Sequence, residues 1–179
     1  MTPGSVLTIS HYRPHHAPDI RRRLLDVYAE VYAAEAAEDP FFSLPAFTRR
    51  LDRHTSHPGW ACVIGTVGAD TVGYAYGRPD SESDWADVTD TIEDVAAFAE
   101  GTFGLCEIMV RQAWRGTGIA RTLHDELMNG RAETRASLLV EETHPRVRQT
   151  YQRWGYRVVG HLQPVSDAPL YHAMILKLR

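Results

Sequence analysis

Residues 106–127 read CEIMVRQAWRGTGIARTLHDEL, and their order decides the fold: the end of an apolar strand, a basic loop with two glycines, then the opening of a helix. Gly116 and Gly118 let the backbone turn sharply and approach a ligand closely, and Arg115 and Arg121 supply positive charge. The first amides of a helix have no intrahelical acceptor and point at whatever lies before it. The arrangement is therefore a cradle for an anion, with a pyrophosphate as the obvious guest.

Three kinds of ligand use such a loop, and spacing separates them. A mononucleotide P-loop needs Gly, four residues, then Gly-Lys-Ser/Thr, and the sole lysine, Lys177, excludes it. A dinucleotide fingerprint needs a third glycine where Arg121 stands, although Glu141 ends the next expected strand, where a ribose-binding acid is expected. The third spacing, Arg-x-x-Gly-x-Gly/Ala, is matched by Arg115, Gly118 and Ala120 behind the strand Leu105 to Val110. An ordinary glycine turn before a helix fits the loop alone equally well, so the surrounding chain has to decide.

The 179 residues suit a single domain, 1–179, with a core of both helices and sheet. Hydrophobic content of 44% with 23% charged residues is that of a soluble globular chain, and no segment approaches the roughly 18 apolar residues of a membrane span. A net charge of -4 argues against nucleic acid as a partner, because that binding runs on an excess of Lys and Arg. Cys62 and Cys106 fall in expected apolar strands and make no disulfide framework, so with no apolar run of signal-peptide length a reducing cytoplasm is the expected compartment.

Outward from the loop, Val6 to Tyr12 alternates as a strand, and Asp19 is placed to cap a long helix that Asp39-Pro40 ends. A shorter helix follows through Leu51, with Arg49, Arg50 and Arg53 expected outside. Trp60 to Val67 and Thr71 to Gly77 form an antiparallel hairpin around Gly68-Ala69-Asp70. Pro79 to Glu100 carries Asp80, Glu82, Asp84, Asp87, Asp90, Glu93, Asp94 and Glu100 with no Lys or Arg; Ile92, Val95 and Phe98 give its second half helical spacing. Gly104 to Val110, a helix Gly118 to Asn129 and a strand Ser137 to Glu141 imply a parallel crossover. A helix Pro145 to Trp154 and strands Tyr156 to Leu162 and Tyr171 to Leu178 complete the order.

Two sets of residues resemble the GNAT superfamily of N-acetyltransferases. Arg115, Gly118 and Ala120 behind their strand are similar to its acetyl-coenzyme A motif. Residues 142–156, ETHPRVRQTYQRWGY, are similar to the segment after its fifth strand, often Asn-x-x-Ala-x-x-Leu-Tyr-x-x-x-Gly-Phe, with Tyr151, Gly155 and Tyr156 in matching places. The element order is similar over nearly the whole chain. The resemblance implies an α+β fold (α/β mixed), with a mostly antiparallel mixed sheet of about seven strands, a splayed parallel pair, and about four or five flanking helices.

It further implies transfer of an acetyl group from acetyl-coenzyme A to a primary amine by direct attack, the acceptor being a small cationic metabolite or antibiotic-like amine. Pantetheine is then expected on the backbone of Met109, Val110 and Arg111, and the pyrophosphate on Arg115, Gly116, Thr117, Gly118, Ile119, Ala120 and Arg121. His144, where the family often has asparagine, is a further coenzyme contact, and Tyr151 is the general acid for the departing thiolate. Read from the residue alone, Tyr151 is an aromatic that packs its helix on the sheet.

Glu107 sits inside an apolar strand, where an unpaired carboxylate costs several kcal/mol, so it is either a general base working through water or half of a salt bridge to an arginine. Glu141 and Glu142 are substitute bases or ammonium anchors, and Asp84, Asp87 and Asp90 are placed to draw a cationic acceptor. His15-His16 and His54-x-x-His57 bring no partner ligands at a known spacing, and no metal is expected. The reading from another class is a non-catalytic acyl-coenzyme A sensor or interaction module of the same fold, and a homodimer is compatible with either.

Overall fold

The strand, loop and helix expected around Arg115 form as β4 (Thr102–Val110) and α5 (Ile119–Met128) in the computed structural model, which describes residues 6–88, 99–163, 166 and 168–179. The other strands are β1 (Leu7–Tyr12), β2 (Ala61–Val67), β3 (Asp70–Pro79), β5 (Arg135–Glu141), β6 (Arg157–Leu162) and β7 (Tyr171–Lys177). The other helices among the described residues are α1 (Ala17–Val31), α2 (Glu35–Glu38), α3 (Leu44–Thr55), α4 (Glu82–Trp85) and α6 (Pro145–Arg153), of which α2 and α4 are single turns. Hydrogen-bonded strand order is β1-β2-β3-β4-β5-β7-β6, a seven-stranded mixed sheet. None of the described helices is long and apolar enough to cross a membrane. The chain divides into two compact units, Met1–Arg78 with Cys106–Asn129, and Pro79–Leu105 with Gly130–Arg179.

In the first unit, β1, β2 and β3 pair antiparallel, and Gly68, at φ +60°, makes the β2–β3 turn that a side chain would strain. Gly73 is required for a different reason: a Cβ there would strike the Met109 carbonyl. On one face, Ile20, Leu24, Val27 and Tyr28 of α1 and Phe47 and Leu51 of α3 bury against Trp60, Ile64, Tyr74, Tyr76 and Met109. Their three- and four-residue spacings are those of amphipathic helices.

Three expectations are corrected here. Helix α1 begins at Ala17 behind a turn at Pro14–His16, with His16 at its N-cap; Asp19 lies inside the first turn, where its charge suits the dipole but caps nothing. It stops at Val31, not at Asp39-Pro40, because Tyr32 leaves helical geometry at φ −105°, ψ 19°. Arg50 is not outside: its guanidinium lies 4.6 Å from the centroid of Phe41, and Nη1 donates to the Phe41 carbonyl at 2.8 Å.

In the second unit, β4 and β5 are parallel over three residue pairs, Thr102–Arg135, Phe103–Ala136 and Gly104–Ser137, as the crossover requires. Strands β5, β7 and β6 continue antiparallel. Trp85, Ala99, Ala173 and Ile175 form a buried cluster. Asp80, the first acid of the acidic run, is engaged inside the unit: it accepts from Trp85 Nε1 at 3.0 Å and Ser137 Oγ at 2.5 Å. Gly104 makes room for that carboxylate, which a Cβ would strike. The expected helix around Ile92, Val95 and Phe98, and Asp90 with it, lie outside the described residues.

Candidate active site

Beyond Val110 the chain makes one tight turn, Gln112–Trp114, passes Arg115, and enters α5 through Gly118 as N-cap. Gly116 and Gly118 stand at φ +76° and +87° with no atom within 4 Å of a Cβ built on them, so backbone conformation and not crowding demands glycine. Thr117 Oγ1 donates to the Trp114 carbonyl at 2.6 Å and pins the loop. Among the described residues, no backbone N–H of Gly116, Thr117, Gly118, Ile119 or Ala120 donates to a loop carbonyl. Gly116, Thr117 and Gly118 are exposed at a left-handed turn into a helix N-terminus, a geometry suited to an anion.

The residues expected around it divide by role. Ile119 is buried and anchors α5, whereas Arg115 and Arg121 are exposed; Arg121 pairs with Asp125 at 2.6 Å one helical turn on. Arg111 is tied on all sides: its amide donates to the Val72 carbonyl at 2.9 Å, Nε donates to the Thr71 carbonyl at 2.7 Å, and Nη1 pairs with Glu30. Met109 is buried and accepts at its sulfur from the Tyr74 hydroxyl at 3.1 Å, and Val110 is buried beside it.

Glu107 lies two residues before Met109 on β4, hence on the same face of the strand. It retains some access to solvent, and burial pushes its carboxyl up to about 7, opposed by the nearby charge of Arg50. Among the described residues no hydrogen bond or ion pair reaches its carboxylate. Arg50 is engaged elsewhere, with Nη2 donating to the Tyr28 hydroxyl at 3.2 Å and Nη1 to Phe41. Tyr28 stacks on Phe47 at 3.7 Å between centroids and on Tyr32 at 4.8 Å. Burial, and after it the field of Glu107, holds the phenols of Tyr74 and Tyr76 well above their ordinary range; burial raises Tyr28 to about 12. Glu107 thus titrates near neutrality among tyrosines that stay protonated, and can both take and release a proton there. Burial drives the Cys62 thiol far up, so it offers no thiolate nucleophile.

In the second unit, Tyr151 is 9% exposed on α6 and meets Trp154 and Tyr156 edge-on at 5.2 and 5.7 Å. It therefore does pack its helix. His144 is the N-cap residue of α6, with Nδ1 3.5 Å from Glu141, and Glu141 also accepts from the Thr143 hydroxyl. Glu142 pairs with His161 at 3.4 Å. Asp84 accepts from the Ser81 amide at 2.8 Å and the Ser81 hydroxyl at 2.7 Å as the far half of a capping box, whereas Asp87 is exposed. Sequence reasoning missed Arg50, Tyr28, Tyr74 and Tyr76 around Glu107. The period-two spacing of Tyr74 and Tyr76 was the available signal, since it places both rings on one face of β3.

A family model described as the acetyltransferase (GNAT) domain matches residues 80–178. A sequence search of the curated proteins finds no match. Among solved structures, the fold is similar to that of a Desulfovibrio desulfuricans protein assigned to the GNAT family of acetyltransferases, at 19% identity and TM-score 0.63, over 97% of this chain and 100% of that one. It is also similar to an aminoglycoside 6'-acetyltransferase type Ii, at 16% identity and TM-score 0.65, over 96% and 97% of the two chains. The PaiA N-acetyltransferase of Thermoplasma acidophilum, solved in complex with coenzyme A, matches at 12% identity and TM-score 0.57, over 96% and 99%.

Proposed function

Since the chain belongs to the GNAT family of acetyltransferases, we propose that it moves an acetyl group from acetyl-coenzyme A to a small primary amine by direct attack, with Glu107 as general base. The observation that carries this reading is a carboxylate that titrates at about 7, holds no partner among the described residues, and lies on the strand that opens into the amide cradle. A structural carboxylate would have been given a donor; one left without is costly, and such cost is tolerated where a proton has to move.

The amides of Gly116, Thr117, Gly118, Ile119 and Ala120, none of which donates to a loop carbonyl among the described residues, suit the pyrophosphate of coenzyme A, with Arg115 adding charge. The thioester is the activated acyl donor when the coenzyme is bound. Glu107 accepts a proton from the acceptor ammonium before the neutral amine attacks, or from the addition intermediate after it. The nitrogen forms its bond to the carbonyl carbon, the carbon–sulfur bond breaks, and the thiolate takes a proton. Tyr151 is the acid in this proposal, carried over from the resemblance. With the Cys62 thiol held protonated, no acyl-cysteine at that position is invoked.

The acceptor in this proposal carries positive charge. Support comes from the acid-only sequence Pro79 to Glu100, of which Glu82, Asp87 and Glu100 are exposed. The test is coenzyme-dependent thiol release with a panel of primary amines, followed by Tyr151→Phe and Glu107→Gln on any acceptor found. Turnover that both variants impair supports the assignment. Thermal stabilisation by the coenzyme, about 2.7 kcal/mol at a hundred times Kd, without turnover on any amine would contradict it.

A further inference from the structure

Strands β5, β7 and β6 lie side by side in that order, and near one end they bring together three side chains to which the steps proposed above give no role. His161 of β6 and His172 of β7 are direct partners in the antiparallel ladder, so both imidazoles leave the same face, with ring centroids 4.9 Å apart. Val140 of β5 pairs with His172; Glu142, two residues on, shares the face of Val140, and its amide donates to the Leu170 carbonyl at 3.0 Å. One nitrogen from each histidine and one carboxylate oxygen of Glu142 lie within 4.8 Å of one another.

We propose that Glu142, His161 and His172 form a binding site for a divalent zinc-class cation that ties the three strands together. A tetrahedral zinc site with bonds of about 2.1 Å has ligand atoms about 3.4 Å apart. His161 Nε2 and Glu142 Oε1 already stand at 3.4 Å, so only the third ligand has to draw in. That ligand is His172, 9% exposed, whose buried Nδ1 meets no hydrogen-bond partner among the described residues. Two imidazoles and a carboxylate are a donor set suited to zinc and ill suited to magnesium or calcium.

Arg148, on α6, opposes the ion. Its Nη1 lies 2.6 Å from His172 Nε2 and donates to it. Ligation through Nε2 displaces the guanidinium directly. Ligation through Nδ1 puts the ring proton on Nε2, where it faces another donor. Either way Arg148 has to withdraw, so it acts as a competitor whose removal tightens binding. A bare surface ion pair between Glu142 and His161 carries no such dependence.

The full chain, stripped with chelator, would be titrated with zinc chloride against a chromophoric chelator, and its metal content measured after gel filtration. The expected result is one zinc per chain, affinity at least about tenfold weaker in Glu142→Gln and in His161→Ala, and tighter binding in Arg148→Ala. Glu142 and His161 are partly exposed, so their variants keep the fold, with a melting curve of each as the check. No zinc retained, equal affinity in wild type, Glu142→Gln and His161→Ala, or no tightening in Arg148→Ala would overturn the proposal.

Discussion

Arg50 lowers the proton affinity of Glu107 without forming an ion pair with it, because its guanidinium donates to the Phe41 carbonyl and the Tyr28 hydroxyl instead. The carboxylate feels a positive field, and among the described residues no side chain donates to it. Arg50→Gln removes that field, so the acid limb of kcat/KM against pH is expected to move to higher pH, while Arg50→Lys moves it less. At pH 6 the glutamine variant should lose more activity than at pH 9, which a pH series on both variants measures.

Glu107→Gln separates function from stability. The folded carboxyl titrates at about 7 against an ordinary 4.5, so the folded chain holds more protons than the unfolded one between those values. Stability from this group is complete below about pH 4.5 and declines as pH rises through 7, by on the order of 3 kcal/mol. The glutamine variant is therefore expected to melt higher than wild type at pH 8 and about equally at pH 4.5, while acetyl transfer falls by about two to four orders of magnitude. Calorimetry at the two pH values, beside a rate assay, checks both parts.

Two glycines fail in different ways when replaced. Gly118→Ala places a Cβ in open space at φ +87°, so it should cost about 1–2 kcal/mol of backbone strain and raise the KM for the coenzyme by disturbing the cradle. Gly73→Ala drives a Cβ into the Met109 carbonyl on the adjoining strand and should cost more, with the loss seen in the melting temperature before any kinetic effect. Denaturant melts and coenzyme titrations of the two variants distinguish them.

The acids of the acidic run are not equivalent. Asp84→Ala removes the carboxylate that bonds the Ser81 amide and hydroxyl and should cost about 1 kcal/mol of stability. Asp87→Lys touches an exposed side chain, so it should leave the melting temperature unchanged and raise the KM of a cationic acceptor. An unchanged acceptor KM would remove Asp87 from the acceptor site.

Much of the fold was legible because its signals are local. The cradle glycines declare themselves by spacing around Arg115, and the crossover from β4 to β5 follows from the order of strand, helix, strand. Helix ends were less legible: Pro18 in the first turn of α1 outweighed Asp19 as a start signal, and nothing in the composition of Tyr32-Ala-Ala marks a stop. Glu107 stood out as an acid in an apolar strand, but the charge whose field reaches it could not be read. Arg50 lies 57 positions away in a run of arginines that looks solvated, and only the packing of Phe41 and Phe47 turns it inward. Likewise His161 and His172 meet only through the register of β6 with β7.

The central claim is that Glu107 serves as the base for coenzyme-dependent acetylation of an amine, and the pH dependence of kcat/KM in wild type and Glu107→Gln tests it most directly. Wild type should release coenzyme A thiol in an amine-dependent reaction, with an acid limb near pH 7 that disappears in the variant along with most of the rate. Wild-type rate and an unchanged acid limb in Glu107→Gln would contradict it.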